Sequence, residues 1–342
     1  MQTSDGMDLN LGDEAISECL ERGVRRSLGA DSVVLRTINV DRSGQPPPPG
    51  RVSTSLRSLH STMRRSKVAV LGGGTLIQDD KGLALYCFKI AALSLLTRTP
   101  LLISAIGVER VPRHLRPLFW SAIKRSRSVT VRDAGSLELF ASWTRRAATV
   151  SADPLFLPDA RDGLVPGSTT TSELAVSLRP DASDQLVGNL AKAAGLLRFD
   201  SLLAVPTDRR PEADERKLRQ LFDSAGSSWS QVSRDYSWGE AVNAIANAKV
   251  LVGMRLHACI FAAVAGTPAV VVRTENKTIA LADELGIRSV PTSASVDQLV
   301  EAIQSAAPPD PAVLEALSAR AQIAVDQIVN EIADSRWSAN LR

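Results

Sequence analysis

Short apolar runs and longer amphipathic stretches alternate along most of the chain. Short runs bounded by glycine and proline are typical of buried strands, and amphipathic stretches of about ten or more residues are typical of helices. Their alternation predicts a doubly wound parallel sheet. In the first half the pattern predicts strands at 32–39, 67–71, 100–105, 128–131 and 148–150, and helices at 83–96, 113–124 and 136–140.

The alternation resumes after a break in composition at residues 158–172, which are rich in Gly, Pro, Ser and Thr. Such a segment is typical of a linker between domains. Beyond it the pattern predicts strands at 174–178, 201–205, 250–252 and 269–272, and helices at 185–197, 212–222, 238–248, 276–285, 296–306 and 311–340.

The length of 342 residues allows two domains, each with its own core. We therefore predict an α/β fold in which two Rossmann-like, doubly wound domains face a cleft. The predicted parts are an N-terminal domain at 1–157, a linker at 158–172, a C-terminal domain at 173–310 and a helical segment at 311–342 that has the length to return across the cleft.

The start of the chain departs from this alternation. Residues 9–16 are typical of a loop that enters a helix, with Asp13 and Glu14 in the first turn, where the helix dipole favours acidic side chains. Such a loop should follow a strand, yet only polar residues precede it. We expect the first strand to be missing, or the start of the chain to be misassigned. Residues 42–51, with four consecutive prolines, are expected to form a stiff surface loop, with a ligand for a polyproline-binding module as the alternative.

Composition and charge narrow the classes of function. With 44% apolar and 23% charged residues the chain is typical of a globular protein. The net charge of +3 does not favour a nucleic-acid binder. Basic clusters at 64–67 and 124–127 are predicted to be solvated faces, with phosphate contacts as the alternative.

Cysteine usage and hydropathy indicate the compartment. Cys19, Cys87 and Cys259 are widely spaced in apolar helical contexts, so we expect buried thiols in a reducing compartment and no metal site. No apolar stretch is long enough to span a membrane, and residues 1–6 contain no signal-peptide core. We expect a cytoplasmic protein and leave peripheral association with the inner membrane face open.

The strongest candidate for chemistry is the stretch at 253–268. Gly253 follows a buried strand and allows a sharp turn, so Arg255 and His257 fall at the start of an apolar helix. This is the carboxyl edge of the sheet, where open α/β folds bind ligands. Histidine is suited to acid–base catalysis near neutral pH, but a histidine at a helix start is also often a cap or a packed polar group. Spacing alone leaves both interpretations open.

Other predicted strand ends carry glycine or positive charge. The three glycines at 72–74 either bring backbone amides close to an anion or form a plain turn. Arg132 and Asp133 follow a strand, either as a ligand contact or as an ion pair that secures the strand end. Arg179 follows another strand, and Lys277 lies at a helix start, where a solvated surface residue is the alternative.

Several motifs follow one another along the chain in an order that is typical of one family. They are Asn10-Leu-Gly-Asp13-Glu, Leu71-Gly-Gly-Gly74, Val131-Arg132-Asp133 with Ser136, Asp153-Pro154, and Gly253-Met-Arg-Leu-His257 with Lys277. Together they resemble the polysaccharide pyruvyl transferase family from about Asn10 to about Gly286, and the G-x-R-L-H element is the most specific of them. The resemblance implies a GT-B-like enzyme that takes phosphoenolpyruvate and places pyruvate as a ketal on two hydroxyls of a sugar.

The resemblance also implies roles for individual residues. His257 would be catalytic, and Asp13 would orient the sugar hydroxyl or act as its base. Arg255 either contacts substrate or braces Asp133 or another carboxylate. The residues implied to contact substrate, since phosphoenolpyruvate carries a phosphate and a carboxylate, are Arg132, Arg179, Arg255, Lys277, Gly73 and Gly74.

The implied partners are phosphoenolpyruvate, which is the donor substrate, and a sugar of a cell-surface polysaccharide or its precursor, either polymeric or lipid-linked. No cofactor, metal or nucleic acid is implied. The family usually has an aromatic residue where this chain has Arg-Thr-Glu-Asn at 273–276, which puts substrate contacts there in question. A GT-B glycosyltransferase that uses a nucleotide sugar and a catalytically inactive binding homologue remain as alternatives, because fold alone does not separate them.

Overall fold

The structure is a computed structural model and describes residues 10–29, 36–38, 51–53, 55–161, 172–208, 210, 214–226, 228–231 and 236–334. Across these ranges no helix is both long and apolar enough to cross a membrane. Contacts divide the chain into two compact units. The first unit contains Ile16–Asp159 and residues 317–334, and the second contains residues 10–15 and Ala160–Ala316.

Strands and helices alternate in the first unit. In chain order its elements are α1 (Leu11–Leu28, whose first residues belong to the second unit), β1 (Arg36–Ile38), β2 (Arg51–Ser53), α2 (Leu56–Arg65), β3 (Ala69–Gly72), β4 (Thr75–Ile77), α3 (Lys81–Thr97), β5 (Leu101–Val108), α4 (Arg116–Arg125), β6 (Val129–Val131), α5 (Ala134–Ala141), β7 (Thr149–Val150) and two 3-10 turns (Pro154–Phe156 and Pro158–Ala160). The sheet is parallel with strand order β3-β5-β6-β7, and β4 pairs with β5. Strands β1 and β2 form a separate parallel pair.

Strand β5 lies at the centre of the first core. Every residue of Leu101–Val108 is buried, and only Ser104 among them is polar, as expected for a strand covered on both faces. Buried side chains of the helices, such as Ile90, Phe119 and Ile123, belong to the same core. The carboxyl ends of β3 and β6 thereby carry the glycine run and Arg132 to the same edge of one sheet.

The second unit repeats the alternation more regularly. Its elements are β8 (Glu173–Ser177), α6 (Asp184–Leu196), β9 (Ser201–Ala204), α7 (Glu215–Ala225), β10 (Ser228–Gln231), α8 (Trp238–Asn247), β11 (Val250–Gly253), α9 (Leu256–Ala265), β12 (Ala269–Arg273), α10 (Asn276–Leu285), β13 (Arg288–Pro291), α11 (Val296–Gln304) and the start of α12 (Pro311–Ala333, which continues in the first unit). All six strands are parallel, in the order β10-β9-β8-β11-β12-β13.

The three central strands of this sheet end side by side. Gly253 at the end of β11 is in register with Ser177 of β8 on one side and Val271 of β12 on the other. The residues that follow these strands therefore gather at one edge. They include four of the predicted site positions, Arg179, Arg255, His257 and Lys277.

The predicted fold class is confirmed, because the protein is α/β with two parallel sheets. The sequence pattern does not predict α2, β2, β4, β10 or β13. The expected absence of a first strand concerns residues 1–9, which lie outside the described residues, as do most of the predicted loop at 42–51 and of the linker at 158–172.

Contacts at the two ends of the chain cross the predicted domain division. Residues 10–15 were predicted to lie in the first domain, but they group with the second unit, because the Leu11 amide donates to the Thr207 carbonyl at 3.0 Å and Asn10 pairs with Asp208. Residues 317–334 group with the first unit, where Arg320 donates to the Ser151 carbonyl at 2.9 Å.

Candidate functional site

The turn after β11 has a specific steric reason for its glycine. The Met254 amide donates to the Ser177 carbonyl at 2.8 Å, and Arg255 is the N-cap residue of α9. A Cβ added at Gly253 would lie 2.6 Å from Cys259 Sγ. That thiol is buried, donates to the Gly253 carbonyl at 3.6 Å, and has its pKa raised to about 12 by burial. Glycine is required here because the helix packs back onto the strand end.

His257 lies in the first turn of α9 and packs against the first turn of α1. A Cβ added at Gly12 would overlap the imidazole ring at Nδ1, Cγ and Cε1, so only glycine fits beneath this histidine. His257 is half-buried. The structure thus brings together two motifs that are far apart in sequence. Asp13 directly follows Gly12, the residue that the ring contacts.

The start of α1 is held in place by the loop that follows β9. The Gly12 amide donates to Asn10 Oδ1 at 2.9 Å, which caps the helix. The Leu11 bond to Thr207 and the Asn10–Asp208 bridge fix the same turn to that loop. Asp13 is exposed, so its carboxylate is accessible from solvent while its backbone is anchored.

Arg255 is bound to a carboxylate that the sequence pattern does not single out. Its Nε donates to Asp214 Oδ1 and Oδ2 at 3.1 and 3.2 Å, and its Nη2 also bonds to that fully buried carboxylate. The amides of Thr207 and Asp208 donate to Asp214 Oδ2, each at 3.1 Å. Burial raises the pKa of Asp214, and the Arg255 bonds oppose that shift. Arg255 therefore braces a carboxylate, the alternative considered for it, and the partner is Asp214.

Arg179 and Lys277 meet at a second carboxylate, Glu275. The Arg179 guanidinium bonds to Glu275 Oε1, and Lys277 Nζ lies 2.8 Å from Glu275 Oε2. Arg179 also donates to Asp181 at 3.0 Å. Burial alone would raise the pKa of Glu275, but hydrogen bonds and charge from Lys277 and Arg179 outweigh it, so the pKa is lowered. We call Arg179, Asp181, Glu275 and Lys277 the Glu275 cluster.

Arg132 lies in the first unit in a closed environment. Its guanidinium stacks on Gly107, where a Cβ would lie 2.8 Å from Cζ. Its Nη2 donates to Thr75 Oγ1 at 3.2 Å and its Nε to Asp133 Oδ2 at 3.3 Å, while Nη1 lies 3.9 Å from Asp153 Oδ2. Burial raises the pKa of Asp153, and the charge of Arg132 opposes that shift. We call Arg132, Asp133 and Asp153 the Arg132 cluster.

The glycine run also lies in the first unit. Gly73 and Gly74 have φ values of +83° and +61°, and a Cβ at Gly73 would lie 3.0 Å from Ile16 Cγ2. The Gly74 carbonyl accepts from the Gly107 amide at 2.8 Å. The turn itself therefore accounts for both glycines, whereas their predicted contact with substrate stays a prediction.

Three contributors to the site were not predicted: Gly12, Asp214 and Glu275. Gly12 stands inside the quoted N-terminal motif, but its partner lies far away in sequence. Asp214 and Glu275 carry no local signal beyond an acidic side chain near a helix start. Among the described residues, no group of three or more His, Cys, Asp or Glu side chains is arranged to hold a metal ion.

Comparisons with known proteins give a family and a fold for this chain. A family model described as polysaccharide pyruvyl transferase matches residues 10–276, which is well over half of the chain. A comparison with curated protein sequences found no match.

Similar solved structures are UDP-GlcNAc 2-epimerases. The enzyme from Rickettsia bellii has a TM-score of 0.61 and 11% identity, over 96% of this chain and 94% of that one. The Neisseria meningitidis enzyme bound to UDP-GlcNAc has a TM-score of 0.56 and 11% identity, over 93% and 96%. The Methanocaldococcus jannaschii enzyme has a TM-score of 0.57 and 10% identity, over 84% and 89%. At such low identity the likeness shows the GT-B fold alone.

Proposed function

Because the chain belongs to the polysaccharide pyruvyl transferase family, we propose that it transfers pyruvate from phosphoenolpyruvate to two hydroxyls of a sugar. The product is a ketal on a cell-surface polysaccharide or its precursor, and phosphate is released. The acceptor is polymeric or lipid-linked.

The observation that carries the proposal is the packing of the His257 ring on Gly12, next to Asp13. The imidazole of one motif thereby lies against the helix turn that carries the exposed Asp13 of the other motif, and imidazole and carboxylate are side-chain types that transfer protons in enzymes. We assign proton donation and proton acceptance to these two residues.

The chemistry requires both groups. A proton is added to the methylene carbon of phosphoenolpyruvate, and the first sugar hydroxyl attacks the neighbouring carbon as it becomes cationic. The second hydroxyl then displaces phosphate at that carbon and closes the ketal. Of the two hydroxyl protons, one balances the proton given to the methylene carbon and the other leaves with phosphate. In our proposal His257 gives the first proton and Asp13 receives a hydroxyl proton.

The donor carries a carboxylate and a phosphate, and we assign Arg179 and Lys277 to this charge. Both are partly exposed and face a carboxylate in the Glu275 cluster, so their geometry is already suited to an oxyanion. Arg255 acts through Asp214, which holds the loop that carries α1. Contacts from Arg132, Gly73 and Gly74 to the donor stay a prediction from the family motif.

The alternative is transfer from a nucleotide sugar. Its support is the fold shared with UDP-GlcNAc 2-epimerases, at 10–11% identity. The family match, which includes the His257 and Asp13 motifs, favours pyruvyl transfer.

The test is to incubate the protein with phosphoenolpyruvate and a panel of glycans, and to measure phosphate release and ketal formation by mass spectrometry. A parallel set replaces phosphoenolpyruvate with nucleotide sugars. We expect phosphate release that depends on acceptor and is absent in His257→Ala. Turnover of a nucleotide sugar, with no phosphate release from any acceptor, would overturn the proposal.

A thermal-shift titration distinguishes the inactive binding homologue. A ligand that binds only the native state raises its stability, by about 2.7 kcal/mol at 100 times its dissociation constant. Stabilisation by phosphoenolpyruvate without turnover of any acceptor would indicate a binding protein.

A further inference from the structure

Helix α3 is apolar around its whole circumference, yet one of its faces is exposed. A helix that is hydrophobic on all sides is normally buried. Here Leu85 and Phe88 are 48% and 47% exposed, and Leu95 and Leu96 are 69% and 70% exposed. These four residues follow one another at spacings that place them on one side of the helix. We call them the α3 face.

The two helices that pack against α3 also expose large apolar side chains. Helix α3 packs against both α2 and α4. Trp120 of α4 is 39% exposed and Leu56 of α2 is 61% exposed. Scattered exposed apolar residues need no explanation, but a cluster on three adjacent helices indicates a binding surface.

Positive charge is concentrated on the same three helices and on the residues that flank them. The segments 55–67, 81–98 and 110–127 hold 13 of the chain's 40 basic residues and none of its 37 acidic residues. The acidic residues next to these segments in sequence are Asp79, Asp80 and Glu109. The 13 basic residues are Arg57, Arg64, Arg65, Lys67, Lys81, Lys89, Arg98, Arg110, Arg113, Arg116, Lys124, Arg125 and Arg127.

Contacts connect this charge to the α3 face. Arg125 of α4 donates to the Ser94 carbonyl, one residue before Leu95, at 3.2 Å. Thr99 donates to the Met63 carbonyl at 2.6 Å, which ties the end of α2, with exposed Arg64 and Arg65, to the end of α3. Basic side chains therefore border the most exposed end of the apolar surface.

We propose that the α3 face and its basic surround dock the protein on an anionic phospholipid bilayer. Leu85, Phe88, Leu95 and Leu96 would insert at the boundary between headgroups and acyl chains, and the basic residues would contact headgroup phosphates. A second copy of the chain is disfavoured as occupant, because two such surfaces carry charge of the same sign. Nucleic acid is disfavoured because four of the six exposed apolar side chains are leucines, Leu56, Leu85, Leu95 and Leu96, which offer no stacking surface for bases. The docking is independent of the reaction proposed above.

The test is vesicle co-sedimentation of the full chain. Vesicles of phosphatidylcholine containing about a third phosphatidylglycerol are compared with pure phosphatidylcholine, at low and high salt. We expect binding to the anionic vesicles that weakens as salt screens the charge, and little binding to neutral ones. No binding to anionic vesicles at low salt would overturn the proposal.

Two pairs of variants test the surface itself. Leu95→Ser/Leu96→Ser should weaken binding at least tenfold, whereas Leu196→Ser, at a 67% exposed leucine of the second unit, should not. Arg64→Glu/Arg65→Glu should weaken binding by about fivefold for each positive charge removed, whereas Arg288→Glu, at an exposed position on β13, should not. Melting temperatures check that each variant is folded.

Equal loss of binding in a variant and its control would overturn the assignment of the surface. Sedimentation velocity of the wild type and of Leu95→Ser/Leu96→Ser tests the second-copy alternative. A dimer that this variant dissociates, with vesicle binding unchanged, would show that a second copy covers the α3 face. Binding of single-stranded DNA that the arginine variant loses and the leucine variant keeps, without vesicle binding, would indicate a nucleic-acid surface.

Discussion

The Arg132 cluster and the Glu275 cluster are both built from arginine and carboxylates beyond the ends of parallel strands, but they differ in exposure. The side chains of Arg132 and Asp153 are 6% and 5% exposed. Those of Arg179, Glu275 and Lys277 are 23%, 33% and 29% exposed. From sequence alone Arg132, Arg179 and Lys277 are equivalent candidates for binding a phosphate.

The difference separates structural charge from charge that can meet a ligand. In the Arg132 cluster burial raises the pKa of Asp153, and Arg132 opposes that shift, so the arginine compensates a carboxylate that water cannot reach. In the Glu275 cluster two cations share one partly exposed carboxylate. An incoming oxyanion could take the place of Glu275 there, whereas displacing Asp153 would leave a buried carboxylate without compensation.

The largest expected effect is a loss of kcat on substitution of His257, in the second unit. His257→Ala should lower kcat by about a hundredfold to ten-thousandfold, because it removes the proposed proton donor. Phosphate release measures the loss, and an unchanged melting temperature shows that the fold is intact. Near-normal kcat in this variant would contradict the catalytic role of His257.

The comparison itself is tested by two arginine variants. Arg132→Ala should destabilise the protein by about 3–5 kcal/mol, because it breaks a buried ion pair from one side. Arg179→Ala should leave stability nearly unchanged and raise the KM for phosphoenolpyruvate by about tenfold or more, since hydrogen bonds to charged groups are lost.

Urea unfolding and initial rates give the two measurements. Arg288→Ala, at an exposed arginine of the same unit as Arg179, is the matched control and should change neither. If Arg132→Ala raised the KM for phosphoenolpyruvate and left the free energy of unfolding unchanged, the contrast between the two clusters would be wrong. Arg132 would then be a ligand contact.

A smaller effect is expected from one added methyl group. Gly12→Ala should lower kcat by about a hundredfold, because the new Cβ overlaps the His257 ring and must displace it. The matched control is Gly188→Ala in α6, where a Cβ has nothing within 4 Å and where alanine should stabilise the helix by about 0.5–1 kcal/mol. Equal activity in the two variants would show that the ring position does not matter for turnover.

The smallest effects are expected at Glu275. Glu275→Gln should lower the KM for phosphoenolpyruvate a few-fold, because Arg179 and Lys277 lose a competing carboxylate. Asp133→Asn in the Arg132 cluster should leave KM unchanged, since asparagine can still cap α5. An increase of KM in Glu275→Gln would mean that Glu275 orients the two cations and does not compete with the donor.

The same variant has a defined pH dependence. The pKa of Glu275 is lowered in the folded state, so its ionisation stabilises the protein above the unfolded pKa of about 4.3 and loses that contribution as pH falls. The melting temperature of Glu275→Gln should therefore be below that of wild type at pH 7, and the difference should shrink as pH falls below about 4.

The sequence pattern predicts most of the buried strands and helices. It misses edge strands and one helix that buries few residues. Strand β11 and helix α10 were predictable because an apolar run and a terminal Gly286 mark them. Strands β10 and β13 are the two edges of their sheet, and an edge strand needs less apolar surface, so Ser228–Gln231 and Arg288–Pro291 do not have a strand pattern. Helix α2 has apolar residues at helical spacing, Leu56, Leu59 and Met63, so its sequence carries a helix signal that the prediction misses.

The site was predictable as a set of motifs and not as a set of contacts. Nothing local to Gly12 indicates that a histidine ring will cover it, because that contact forms between distant segments. The same holds for Asp214 beneath Arg255 and for Glu275 between Arg179 and Lys277. Only the folded structure shows which of these cations are paired with carboxylates and how deeply each pair is buried.

The Cys259 thiol, which packs against Gly253, allows opening of the turn between β11 and α9 to be measured by chemical labelling. Cys259 is two residues from His257, and its pKa of about 12 keeps it protonated at neutral pH. An alkylating reagent can reach the sulfur only when α9 lifts away from the strand end. The alkylation rate of Cys259, read by peptide mapping apart from buried Cys19 and Cys87, therefore reports how often this turn opens in the native protein. A ligand that binds the closed turn would slow that rate without any need for turnover.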